Sequence, residues 1–476
     1  MRLTFFCKEV GLSVAFKSGI WYTISNFLVK GIAFLTTPIF TRILTKSDFG
    51  LYNNYISWLA IVTTIVTLNL NSTLISARYD FKNELDEYIL SILSLSSVSV
   101  LTWLFIVNFF SDFFVYLLGM DLVYINSMLI YLLFLPAVTL FQSKERYLFE
   151  YKKTVATSLF VSLGASFLSV LLVIYIQDKL AGRVIGTLSS TILLGFCLYI
   201  YFIKKGKKVA FKYWIYAIPI SLPYIPHLLS LTVLNSTDRV MITRWSGAEA
   251  AAVYSLAYTC GTMITLLITS MNGAFAPWLG EMLNKNCLKE IRLFSNIYIL
   301  FFFFLAIGVI AFTPEILLLL GGSSYYEAIY IVPPIAIGCV FQFLYILFVN
   351  VEQFKKKTIG MAIASLIAAL VNFILNYIYI PKFGYLVAAY TTLFGYFLLL
   401  CIHMYLVKLL NLEKIYNYKL IFLVVFLGII ATFFMIFLFK ANNIRYLFVF
   451  VYFILLCCLF FKYKNYLFNF KKLIKE

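Results

Sequence analysis

The chain has 476 residues, 63% of them hydrophobic and only 12% charged, with a mean hydropathy of +0.95. Soluble domains run near about 45–50% apolar and about 25% charged, so this composition excludes a soluble protein and requires a polytopic membrane one. The formal charge of +18 is scattered over short segments, which excludes nucleic acid as a partner.

A bilayer-crossing helix takes about 20 apolar residues. Fourteen stretches qualify: 19–40, 50–70, 88–110, 122–142, 154–176, 183–203, 214–237, 250–271, 293–313, 329–350, 359–380, 385–407, 419–439 and 445–461. Each is continuously apolar, without the inside/outside alternation of a barrel strand, so the fold class is all-α. Residues 1–18 mix charge with apolar side chains and lead into a full crossing, so no cleavable signal peptide is expected.

Lys30 stands about midway along the first span. A buried ammonium needs water or a counter-charge. It either faces an anion in a cavity or, if the span is displaced by a turn, snorkels to an interface.

The first span is followed by TRILTKSDFGLYN, and 202 residues later TRWSGAEAAAVYS returns: Thr41 matches Thr243, Arg42 matches Arg244 and Tyr52 matches Tyr254. Leu117-Leu118-Gly119 recurs as Leu319-Leu320-Gly321 at the same offset, and Gly182 falls opposite Gly384. A shared offset points to a duplicated half. We expect an N-lobe of spans 1–6 (residues 1–205), a C-lobe of spans 7–12 (206–408), and two added helices with a basic tail (409–476). Six helices per half give both the same orientation, with a pseudo-twofold axis along the membrane normal, as transporters have. Arg42 and Arg244 occupy equivalent places, as outer vestibule or gate residues or as interfacial anchors.

Span 7 carries Pro219, Pro223 and Pro226. Each removes a backbone donor, so a bent helix facing protein or a wet cavity is expected. His227 lies within it as a titratable candidate or a satisfied core residue. Asp238-Arg239 falls at the outer end of this span, to close a gate by ion pairing or to sit solvated.

Of the 38 Lys and Arg, 28 fall in alternate inter-span segments and nine in the opposite set. The positive-inside bias therefore places both termini in the cytoplasm. On that face Arg78, Arg146, Lys152 and Lys153 flank the first half and Lys355, Lys356 and Lys357 the second. They attract phosphorylated head groups, although orientation alone accounts for such charges. Two histidines and eight dispersed cysteines give no metal-ligand pattern, so no metal or cofactor is expected. No phosphate-binding loop is present, and outer loops of at most fifteen residues disfavour a membrane polymerase or ligase. An enzyme is not expected.

The segment PIFTRILTKSDFGLYN (38–53) resembles the signature of bacterial O-antigen and capsular polysaccharide flippases of the multidrug/oligosaccharidyl-lipid/polysaccharide exporter superfamily. NSTDRVMITRWSGAEAAAVYSLAYT (235–259), FAPWLGEM (275–282) and PEILLLLGGSSYYEAIYIVPP (314–334) are similar to that family in the same order. The resemblance implies a two-lobed transporter of the bacterial cytoplasmic (inner) membrane. It would carry an undecaprenyl-diphosphate-linked oligosaccharide to the outer leaflet, with membrane lipids and other polysaccharide-assembly proteins as partners. It also implies a cationic cavity, for which Lys30, Arg78 and Asp238-Arg239, with His227 nearby, are the candidates. An ion-coupled multidrug exporter is the alternative.

Overall fold

With no water in the bilayer to satisfy backbone groups, each long apolar stretch closes its own hydrogen bonds as a helix. The computed structural model describes residues 2–454 apart from Phe149, Glu413, Asn442 and Phe453, and among these the side chains of Ser18 and of Trp21 onward except Thr358. The first half comprises α1 (Arg2–Ile43), α2 (Lys46–Val66), α3 (Leu74–Asp80), α4 (Leu85–Phe109), α5 (Ser111–Leu118), α6 (Leu122–Tyr147), α7 (Tyr151–Tyr175) and α8 (Lys179–Gly206). The second comprises α9 (Phe211–Ser221), α10 (Tyr224–Ser246), α11 (Ala248–Asn284), α12 (Leu288–Ala311), α13 (Thr313–Gly321), α14 (Val332–Phe354), α15 (Thr358–Phe383) and α16 (Val387–Leu409), followed by α17 (Tyr418–Leu438).

Eleven of the described helices are long and apolar enough to cross a membrane alone, and two bent pairs bring the number to thirteen. They coincide with the first thirteen expected spans. The fourteenth begins as a helix over 443–452; its remainder and the basic tail lie outside the described residues.

Both bent pairs have local causes. In the first, Leu68 and Asn69 adopt left-handed conformations (φ 54° and 47°) between α2 and the turn leading to α3, and the two axes meet at 51°. In the second, Pro223 stands at the N-cap of α10, and α9 meets α10 at 52°. The bend expected from the prolines is therefore present. The short α9 packs on the first half: Lys212 Nζ and Tyr213 Oη reach Glu84 at 2.8 and 2.6 Å. These two donors hold the Glu84 carboxyl below its usual range.

The turn between α1 and α2 is written in Thr45-Lys46-Ser47-Asp48. Thr45 Oγ1 accepts from the Asp48 amide at 3.1 Å and donates to its carboxylate at 2.7 Å, closing the first turn of α2. This places Gly50 against the start of α11, where an added Cβ would lie 1.8 Å from the Ala248 carbonyl oxygen. The same end of the bundle holds the apolar core shared by the halves. Phe40, Leu44, Phe49 and Val173 of the first half join the large core of the second.

Candidate functional site

Moving away from that end, a cavity of about 310 Å³ opens beside α1. It is walled by α10, α11, α14 and α16, and Lys30 is the only lining residue from the first half among the described residues. Thirteen positions before Ile43, Lys30 lies about 20 Å down α1, and its side chain is exposed. Arg239 faces the same space from α10. Its Nη1 donates to the Asn235 carbonyl at 2.8 Å, and its guanidinium lies 4.3 Å from the Tyr258 ring centroid. Among the described residues, neither cation forms an ion pair. Thr262, Thr265 and Thr269 add a stripe of hydroxyls along α11. Each donates to its own helix, so their oxygens face the cavity as acceptors. The site is a partly open chamber that brings together two cations, neither in an ion pair within 4.0 Å among the described residues, and it is suited to an anion.

Of the other residues expected in the cavity, none lines it. Arg78 lies on α3 over the rings of Tyr79 and Tyr147, 4.4 and 4.9 Å from their centroids. His227 pairs α10 with α15 through Ser365 Oγ at 3.1 Å. Asp238 is neither a solvated helix end nor a gate ion pair: it is fully buried behind the cavity wall. The reason is the length of α10, which continues to Ser246 and ends only at Gly247 (φ 89°). Residue 238 is thus two turns inside.

Around Asp238 the second half gathers oxygens. Tyr254 Oη and Thr392 Oγ1 donate to Oδ2 at 2.5 and 3.0 Å. Asn372 donates to Thr392 at 3.3 Å, Asn376 to Asn372 at 3.2 Å, and Thr391 to Asn376. Oδ1 of Asp238 has no hydrogen-bond partner among the described residues. Asp238 forms no ion pair within 4.0 Å among the described residues and a buried carboxylate is costly, so this cluster suits a proton or a hard monovalent cation, for which carboxylate, amide and hydroxyl oxygens are fitting ligands. The described residues contain no group of three His, Cys, Asp or Glu placed for a metal ion.

Arg42 and Arg244 sit in the contact between halves. Arg42 Nη2 donates to the Leu319 carbonyl at 3.1 Å and Thr41 Oγ1 to that of Leu320 at 2.5 Å, capping the last turn of α13. Arg244 lies 5.0 Å from the centroid of Tyr116 on α5. The two sequence echoes therefore lie close together: Thr41 and Arg42 reach Leu320 and Leu319, and Arg244 reaches Tyr116 beside Leu117, while Thr243 Oγ1 donates to the Arg239 carbonyl of its own helix at 2.7 Å. At the opposite end Arg146 lies over Tyr22 at 5.5 Å and Lys153 pairs with Glu145 at 3.0 Å. Lys152 and Lys355–Lys357 are exposed and form no ion pair among the described residues.

Arg183 on α8 and the cluster partners Tyr254, Asn372, Asn376 and Thr392 were not anticipated. The spacing of Asn372 and Asn376, four apart within an apolar helix, was the available signal. Arg183 fell on the first residue of an expected span, where a cation attracts no notice.

The family described as polysaccharide biosynthesis protein matches residues 15–283. The chain belongs to this family. The family described as MatE matches residues 223–378. The chain is 25% identical over 454 residues, 88% of each chain, to membrane protein MJ1068 of Methanocaldococcus jannaschii. Its fold is that of the lipid II flippase MurJ in an inward closed conformation, at TM-score 0.74 and 15% identity, covering 94% of this chain and 100% of that one. It also matches an inward-facing multidrug resistance MATE family transporter, at TM-score 0.60 and 12% identity, covering 83% and 98%. It is a polytopic membrane protein with the architecture of the MOP superfamily.

Gly50→Ala drives a methyl group into the Ala248 backbone. We expect the shared end to open. A cysteine placed at Leu44, now 5% exposed, then reacts with an impermeant maleimide in the Gly50→Ala background and stays unlabelled in the Gly50 chain. Equal labelling counts against Gly50 as the contact that closes this end.

Proposed function

We propose that the protein flips an undecaprenyl-diphosphate-linked oligosaccharide from the cytoplasmic to the outer leaflet of the bacterial cytoplasmic membrane. The pathway is surface polysaccharide assembly, O-antigen or capsule. The observation that carries this reading is Lys30 and Arg239 facing one cavity, neither in an ion pair within 4.0 Å among the described residues. A diphosphate brings the missing charge. The family match and the lipid-linked cargo named for MurJ support the substrate class.

The cationic loop bias assigns the Gly50 end to the outside and both termini to the cytoplasm. In that orientation the shared core closes the outer end, while the exposed Lys152 and Lys355–Lys357 gather head groups at the inner mouth. The halves 1–205 and 206–408 rock against one another, and 409–476 is an appended pair of helices. The Thr41 and Arg42 bonds to α13 break as the outer end opens. No covalent bond changes. The Asp238 cluster supplies an ion or proton dependence to the cycle. That cluster also favours the second reading, an ion-coupled drug exporter, since export against a gradient needs such an element.

Deleting the chromosomal copy and analysing lipid-linked intermediates separates the two. Complete repeat units held on the cytoplasmic face are the expected result. Normal outward delivery with raised drug sensitivity transfers support to the exporter.

A further inference from the structure

A second cation lies within the first half, away from Lys30 and Arg239. Arg183 stands in the second turn of α8, with its guanidinium carbon 3.4 Å from the Phe40 ring centroid and 4.4 Å from that of Tyr52. Its Nε is buried and has no acceptor. Among the described residues it forms no ion pair. The acid close by in sequence is already engaged: Asp178 caps α8 through the Ala181 amide at 2.9 Å and accepts from Tyr124 at 3.3 Å. A buried guanidinium whose rings supply only cation–π attraction still lacks acceptors for its N–H edges.

Arg183 lines a cavity of about 410 Å³ between α1, α2, α6, α7 and α8. The remaining wall is rich in uncharged polar groups, with Gln142, Ser158, Ser162, Ser166 and Thr187 beside Tyr131. This volume lies in the usual range of about 300–1,000 Å³ for small-molecule sites. The chemistry is specific. One guanidinium offers a planar fork that fits a carboxylate in two parallel hydrogen bonds. The hydroxyl and amide wall fits ring hydroxyls, and Tyr131 offers an aromatic ring for the apolar side of a sugar. With no second cation in the lining, the pocket balances one negative charge rather than a diphosphate.

We infer that this pocket is a glycan-recognition subsite that takes a carboxylate-bearing pyranose of the cargo, its carboxylate on Arg183. That the pyranose arrives on a lipid carrier rests on the proposed flippase function; the pocket's selectivity does not.

The test is calorimetric titration of the full-length protein in nanodiscs with D-glucuronate, D-glucose and acetate. Glucuronate binds at millimolar concentration, and glucose and acetate at least tenfold more weakly. Arg183→Gln lowers glucuronate affinity at least tenfold and Arg183→Lys by an intermediate factor. If Arg183→Gln does not fold, the Arg183→Lys loss and the preference for glucuronate over glucose decide. Acetate binding as tightly as glucuronate marks an adventitious ion only and overturns the proposal. So does glucose matching glucuronate, or both Arg183 variants keeping full affinity. A flat titration overturns the subsite while leaving the diphosphate cavity and its flipping assay untouched.

Discussion

A chain carrying Lys30→Glu together with Arg239→Glu translocates no diphosphate-linked glycan, although it inserts and folds. The two cations share one cavity and neither forms an ion pair within 4.0 Å among the described residues, so reversal creates repulsion toward an anion without breaking a salt bridge. At about 4 Å and an effective dielectric of about 20, a unit pair is worth about 4 kcal/mol. Lys30 is exposed, so its share is discounted to about 1 kcal/mol. Arg239 is more covered and stacked on Tyr258. Lys30→Gln alone then slows flipping about fivefold and Arg239→Gln about a hundredfold, at about 1.4 kcal/mol per decade. The measurement is protection of a fluorescent polyprenyl-diphosphate glycan from an external quencher in proteoliposomes. More than half the parent rate in the double reversal removes these residues from the mechanism.

The second large effect belongs to Asp238. Substitution by Ala leaves the buried hydroxyls of Tyr254 and Thr392 without their acceptor. Each orphaned group costs about 1–3 kcal/mol, a large fraction of a typical folding stability. Asp238→Ala is therefore expected to express poorly and to melt early in detergent. Asp238→Asn keeps an oxygen for both donors and removes only the charge. It should fold and lose its response to an imposed sodium or proton gradient, with flipping reduced at least tenfold. Comparing the rate under each gradient with that in symmetric buffer identifies the ion. An Asn variant with the parent's gradient response would falsify the coupling role.

The helices were legible because the bilayer imposes one rule on every crossing segment, and the run of apolar residues reports it directly. The bend between α9 and α10 was legible for a similar reason, since Pro223 acts locally. The Lys30 site was legible as a charge out of place. Asp238 was not, because its setting depends on where α10 ends, and that is fixed by Gly247 and by packing against α11 and α16. The cluster around it draws Tyr254, Asn372, Asn376 and Thr392 from three helices, each polar residue unremarkable alone. Arg183 was hidden by the opposite effect: it lies near a helix start, where cations are common, and only the rings of Phe40 and Tyr52 reveal that it is covered.

The contacts at the closed end have a mechanical consequence. Thr41 and Arg42 bind the carbonyls of Leu320 and Leu319, and Arg244 lies over Tyr116, next to Leu117. Each hydrogen bond or cation–π contact of this kind contributes about 1 kcal/mol net. Fastenings of that strength act as a catch rather than a weld: together they keep one end shut, and a modest shift of charge elsewhere in the molecule is enough to release them.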